Sequence, residues 1–300
     1  MSAAPASIGP SLGSGIALAA FGAIAFSGKA VIIKLAYRHG VDATTLLMYR
    51  MLFALPLFLA MAAWAGRGRA PLSRQDLALV AGLGFCGYYL ASYLDFLGLK
   101  YVTASLERLI LYLNPTLVLL LSWWLLGRRV TLRQMAALGV SYAGVLVVFG
   151  HEVHMAGAEV LLGGLLVLGS AVSYAFYLIY SGQAVGRIGP ARLTGWASSV
   201  ACVLCIGQFL LMRPLQAAVV APEVLWLSVL NATVCTVAPV LMVMMAIQRI
   251  GAPLTAQTGM LGPLSTIALG VLILGEPFTG WVVLGTALVI AGITLLARVR

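Results

Sequence analysis

Residues 104–144 read ASLERLILYLNPTLVLLLSWWLLGRRVTLRQMAALGVSYAG, and residues 252–292 read APLTAQTGMLGPLSTIALGVLILGEPFTGWVVLGTALVIAG. The two stretches align without a gap, 148 residues apart. Pro115 falls on Pro263, Leu126-Gly127 on Leu274-Gly275, Thr131 on Thr279 and Ala143-Gly144 on Ala291-Gly292. Leu106, Leu113 and Leu121 fall on Leu254, Leu261 and Leu269. Leucine, alanine and glycine are abundant enough here to match by chance. The two prolines, among only 12 in the chain, are not, and the register holds throughout. The chain is read as an internal repeat.

Composition says where such a repeat lives. Of 300 residues, 62% are hydrophobic and 9% charged, and the mean hydropathy is +1.06. A soluble domain carries about 25% charged residues, so a water-soluble body of this size could not cover itself. A soluble enzyme, a disordered chain and a disulfide scaffold are excluded. No stretch alternates in the roughly ten-residue blocks of a membrane β-barrel. An all-α membrane protein remains. A span needs about 20 apolar residues, and ten are read, at 12–37, 43–65, 76–98, 102–126, 132–150, 158–184, 191–213, 223–247, 252–275 and 278–297. Each repeat, 12–150 and 158–297, then holds five spans. Five is odd, so the second copy enters the membrane from the opposite face. The expected architecture is two inverted five-helix repeats related by a pseudo-two-fold axis in the membrane plane, as in many secondary transporters, with the solute site near the midplane between halves.

The net charge of +10 suggests nucleic acid in a soluble protein. Here the basic residues are scattered through short connections, and the topological bias of Lys and Arg towards the cytoplasm explains them. With a cytoplasmic N-terminus, eleven cations between Arg67 and Arg300 fall inside and three, Arg38, Lys100 and Arg213, outside. Both termini are therefore expected to be cytoplasmic, in a bacterial plasma (inner) membrane. The start, MSAAPASIGPSLGSG, lacks the basic region of a signal peptide.

Pro115 and Pro263 fall mid-span in the fourth helix of each half. Each removes a backbone hydrogen bond and favours a kink, so both are hinge candidates, with a static packing kink the alternative. Asn114 and Gly262 precede them. Asn114-Pro115 with Leu126-Gly127, and Gly262-Pro263 with Leu274-Gly275-Glu276-Pro277, make the chain resemble the paired EamA domains of the drug/metabolite transporter superfamily over almost its whole length. That resemblance implies ten helices in two inverted halves and carriers of amino acids, other small metabolites, sugar-nucleotide-like compounds or drugs, with export common among bacterial members. Arg128 stands where the first half would usually carry Glu, a residue that the resemblance casts as structural.

An ionisable side chain at the bilayer centre costs roughly 2.5–3.5 kcal/mol on insertion scales. Six lie within or near spans, Lys29, Lys34, Arg50, Asp95, Glu107 and Arg108, and all are in the first half. At about 1.5 Å per residue, all six fall on the outer side of the midplane. Four cations against two acids leave an excess of two positive charges, a candidate site for a substrate carboxylate or phosphate. Lys29 is the deepest; Lys34 can snorkel to the interface. Arg50 is read either as a substrate ligand or as a structural partner of Glu107 or Asp95. Glu107 and Arg108 sit about 100° apart around a helix, so only one of them fully faces a cavity. Glu107 is also the candidate coupling carboxylate.

Uncharged groups complete the candidate binding site. Ser170, Tyr174, Tyr177 and Ser181 form one stripe on the sixth helix, and Tyr88, Ser92 and Asp95 another on the third. Tyr112, Trp196 and Gln257 add polar handles, though interhelical packing explains such residues equally. Cys202-x-x-Cys205 lies inside a span without companion ligands, and His151-Glu152-x-His154 has too short a spacing for a catalytic metal. No metal or cofactor is expected, and no phosphate-binding loop is present. The expected partners are a small-molecule substrate and the lipid bilayer, with a homodimer left open and nucleic acid excluded. The sequence is therefore read as a non-enzymatic secondary transporter of a small amino-acid-like, anionic or zwitterionic metabolite, working by alternating access. A channel-like facilitator and a multidrug or organic-cation exporter are the alternatives.

Overall fold

The computed structural model describes residues 10–127, 130–259 and 261–298. Among them every regular element is helical. The helices are α1 (Pro10–Tyr37), α2 (Ala43–Gly66), α3 (Arg74–Gly98), α4 (Ala104–Leu111), α5 (Asn114–Leu126), α6 (Leu132–Ala156), α7 (Ala158–Ile188), α8 (Pro190–Met212), α9 (Pro222–Ile250), α10 (Leu261–Leu274) and α11 (Gly280–Arg298). Eight helical stretches are long and apolar enough to cross a membrane, with α4 and α5 together making one of them. Leu261–Leu274 and Gly280–Leu296 are shorter apolar helices. The connection expected near residues 248–251 is absent as a loop, because helical backbone continues from α9 to Gly259.

Short polar residues start several helices by accepting their unpaired N–H groups. Thr103 caps α4 through the Leu106 N–H, and Thr131 with Gln134 forms a capping box on α6. Asp42 caps α2, accepting from the Thr44 N–H at 2.9 Å and the Thr45 hydroxyl at 2.6 Å, with Arg213 at 3.1 Å. Burial alone would raise the Asp42 carboxyl; its bonds from Thr45 and Thr44 and the Arg213 charge hold it below the ordinary carboxylate value. Its contribution is therefore present above that ordinary value and lost as pH falls through the lowered one. Asp42→Ala is expected to cost about 1 kcal/mol. In thermal unfolding in detergent, the gap to the wild type should be present at neutral pH and close as pH falls below the ordinary carboxylate value. At the other end, the repeated glycines serve one purpose. Gly127 and Gly275 end α5 and α10 at φ of 63° and 73°, a left-handed backbone that other residues adopt at a cost.

Equivalent helices of the two halves run antiparallel. Along α6 and α11, Ala137 meets Gly292 and Gly144 meets Gly285. Along α2 and α8, Met51 meets Cys202 and Ala62 meets Gly195. One further approach across the halves occurs twice. Gly28 of α1 lies against Cys235 of α9, and Gly87 of α3 lies against Tyr177 of α7. Exposure is inverted relative to a soluble protein. Phe21, Trp124, Leu211, Trp226 and Leu272 are exposed on the outside, whereas Lys29, Arg50, Asp95, Glu107 and Arg108 are buried inside. A surface of this kind suits a hydrocarbon solvent.

Candidate functional site

The site is built where helices are irregular. The break between α4 and α5 lies at Tyr112 and Leu113, just ahead of Pro115. Proline cannot donate to the carbonyl four residues back, so Leu111 O needs another donor. The Asn114 amide supplies it at 2.7 Å. In the second half Pro263 frees Gly259 O, and the Tyr112 hydroxyl, from the other half, donates to it at 3.0 Å. Ser27 of α1 donates to Gly262 O at 2.7 Å. The break ahead of Pro115 and the carbonyl freed by Pro263 therefore lie side by side, joined by Tyr112. Beside them α3 and α9 widen into π-helical turns at Gly84–Leu90 and Thr233–Val237. The 148-residue shift superposes these turns. Such turns are frequent at functional sites because they re-aim side chains. Here they carry Tyr88 and Thr236 to the same cavity.

Five of the six predicted charges converge. Lys29 Nζ lies 2.6 Å from Asp95 Oδ2 and 3.2 Å from Glu107 Oε1. Glu107 Oε2 is 4.0 Å from Arg108 Nε, too long for a hydrogen bond. Arg50 pairs with neither acid. Its Nε donates to Thr236 Oγ1 at 3.0 Å, and its guanidinium lies over the Phe96 ring at 5.3 Å. The sixth charge, Lys34, lines a separate outer cavity with Glu152 and Glu276, because depth along α1 does not fix direction around it. The expected excess of two positive charges thus becomes one. It is carried by the arginines, since Lys29 is neutralised by the acids. Arg50 Nη1 and Arg108 Nε and Nη2 are buried without a hydrogen-bond partner among the described residues.

These groups surround a cavity of about 230 Å³. Lys29, Arg50, Tyr88, Arg108, Tyr112 and Tyr174 all line it. Glu107 does not; it is 0% exposed behind Lys29, while Arg108 takes the cavity side of the helix. Tyr177 stands one layer back, 3.0 Å from the Tyr88 hydroxyl and stacked on Tyr174. Trp196 does not reach the cavity: it is 36% exposed on the outside of α8, where an indole gains from the apolar surroundings. The Gln257 side chain lies outside the described residues. A larger groove of about 610 Å³ between α10 and α11 is lined by Leu264, Ile267, Phe278 and other apolar groups and holds no charge.

Sequence reasoning did not name Phe26, Phe58 or Thr236 as lining residues. The repeat itself was the available signal. The same shift that pairs the prolines takes Phe26 to Tyr174 and Tyr88 to Thr236, so each candidate in one half points to a partner in the other. Glu276 has a different place. It accepts from the Ala104 N–H at 2.6 Å and the Ser105 hydroxyl at 2.9 Å, capping α4 across the halves. Arg128, its counterpart in the first half, lies outside the described residues.

A model of the EamA-like transporter family matches residues 13–150 and 161–298. The chain belongs to the EamA-like transporter family. Among its relatives is an uncharacterized transporter of Bacillus subtilis, YcbK, 32% identical over 268 residues, covering 85% of this chain and 83% of that protein. An uncharacterized transporter of Archaeoglobus fulgidus is 26% identical over 182 residues, covering 60% and 62%. A crystal structure with 19% identity covers 96% of this chain and 99% of its own, with a TM-score of 0.65, a likeness of fold. Two EamA repeats thus make up a multi-pass membrane transporter, and the paired charges and the cavity lie inside it.

Proposed function

We propose that this EamA-family transporter is a secondary carrier of a small organic anion or zwitterion, carrying a carboxylate or phosphate group, in a bacterial inner membrane. One observation carries the reading: two buried arginines with unpartnered nitrogens face one cavity. A buried cation without a partner is costly, and an anionic group that enters offsets the cost with bidentate hydrogen bonds. The tyrosines offer an apolar wall for the rest of the solute. A cavity of about 230 Å³ is below the roughly 300–1,000 Å³ of drug-sized sites. Size and the positive excess both favour this reading over a multidrug or organic-cation exporter.

The carrier works by alternating access between two inverted halves, exporting its solute, with ten crossings and both termini cytoplasmic. The antiparallel pairing of equivalent helices supports opposite mounting of the halves. Crossing nine begins where the chain reverses after α9: Ile250 lies at the level of Gly15, yet Gly262 lies back at Ser27. Pro115 and Pro263 serve as hinges, joined through Tyr112. In proteoliposomes, counterflow of labelled glutamate, malonate and phosphate is expected to be saturable and trans-stimulated for at least one of them. Exchange confined to organic cations, or conductance without trans-stimulation, would overturn the reading.

A further inference from the structure

The mechanism above uses the arginines and leaves the acids unexplained. Two carboxylates, Asp95 and Glu107, share one ammonium, Lys29, at 2.6 and 3.2 Å. Asp95 is 2% and Glu107 0% exposed. Asp95 Oδ1 and both Glu107 oxygens lack a hydrogen-bond donor among the described residues. Both carboxyl groups reach the same Lys29 Nζ, and a proton on one of their oxygens would relieve the repulsion between two ionised carboxylates held this way. Asp95 lines the cavity, so water there can deliver that proton. Helix positioning alone does not require this arrangement; a single carboxylate would neutralise Lys29.

We propose that the Asp95–Lys29–Glu107 group is a proton-binding site linked to the solute: it takes up one proton when the arginines accept an anion carrying a second negative charge. The inference rests on the anionic-substrate reading. Charge balance supplies the link. With both acids ionised, Lys29, Arg50 and Arg108 leave an excess of one positive charge, which a monoanion cancels. A dianion leaves the cavity one charge negative, and a proton on a carboxylate oxygen restores neutrality. Binding of the two is then mutually favourable, and linkage makes the effect reciprocal. The surrounding titratable groups do not replace the pair. Lys34 and Tyr37 of α1, Arg50 of α2, Arg108 of α4 and Cys235 of α9 are basic or weakly acidic. Tyr174 is the titratable group that α7 presents to the cavity, and Glu276 and Glu152 are engaged at the start of α4.

The test uses the full chain in proteoliposomes loaded with a pH-sensitive dye, with malonate and inorganic phosphate as probes. Addition of a transported dianion is expected to carry protons inward, and its apparent affinity to improve up to about tenfold per unit fall in pH. Asp95→Asn, or Glu107→Gln should the first fail to fold, is expected to remove the protons moved per dianion exchanged and the pH dependence, whatever counterflow rate remains. Dianion counterflow in the wild type without proton movement or pH dependence would overturn the linkage and leave the anion reading standing. Absence of any anion counterflow would overturn the anion reading, and the linkage with it. Variants that exchange dianion with an unchanged dye signal would likewise remove the pair from the coupling role.

Discussion

Gly292→Ala is expected to destabilise the protein by about 1–3 kcal/mol, while Gly139→Ala, on a helix that Gly292 packs against, is expected to be neutral or stabilising by up to about 1 kcal/mol. Both lie within helices, where alanine is the better former, so propensity favours both changes. Packing separates them. A Cβ on Gly292 would lie 2.7 Å from Ala137 O and 2.7 Å from Ser141 N, both backbone atoms of α6. Such atoms cannot turn aside; α6 and α11 would have to move apart along their whole contact. Gly144 and Gly285 make the same approach, each within 2.6 Å of the other's carbonyl oxygen for an added Cβ. Small residues at such seams let helix backbones touch in a bilayer. At Gly139 nothing lies within 4 Å. Thermal unfolding of both variants in one detergent checks the contrast. Equal behaviour would mean that α6 and α11 are not held this closely.

That seam also marks how far the sequence could be read. Ala143-Gly144 and Ala291-Gly292 were visible as repeat landmarks, and oddness of span number implied opposite mounting. Their meeting face to face was not visible, because a repeat gives the relation between halves and not the distance. The lost backbone hydrogen bonds were legible at Pro115 and Pro263, since proline acts on its own backbone. The donors that replace its missing hydrogen bond were not, because the Tyr112 hydroxyl reaches Gly259 across 147 positions of chain. Depth grouped six charges, of which five converge; Lys34, read as able to reach the interface, lines a separate cavity, and which way a charge points around its helix no rise per residue can supply. Arg50 was read either as a substrate ligand or as a partner of Asp95 or Glu107; it pairs with neither acid and donates to Thr236, 186 positions away. Trp196 looked like a polar handle in isolation; its exposure comes from which face α8 turns to α2.

Arg108→Gln is expected to weaken binding of the anionic solute about 10- to 100-fold while leaving the fold intact, and Arg108→Lys to recover only part of the loss. The magnitude follows from hydrogen bonds to a charged group, worth about 1.5–3 kcal/mol each set against water. Arg108 is the more exposed of the two arginines to this test because of its contacts. Arg50 is held by Thr236 and lies over Phe96. Arg108 has two nitrogens without a hydrogen-bond partner, a 4.0 Å contact to Glu107 and the Phe26 ring at 5.4 Å beneath it. Glutamine keeps a donor and most of the stem's packing but removes the charge and the planar fork; lysine keeps the charge and loses the fork. The order arginine, lysine, glutamine in ligand-induced thermal shift therefore separates charge from geometry. A purely structural arginine would behave differently. Its loss would lower the melting temperature of the ligand-free protein and leave the shift produced by saturating glutamate, malonate or phosphate unchanged. That pattern would remove Arg108 from the binding site and leave Arg50 as the remaining cation for the solute.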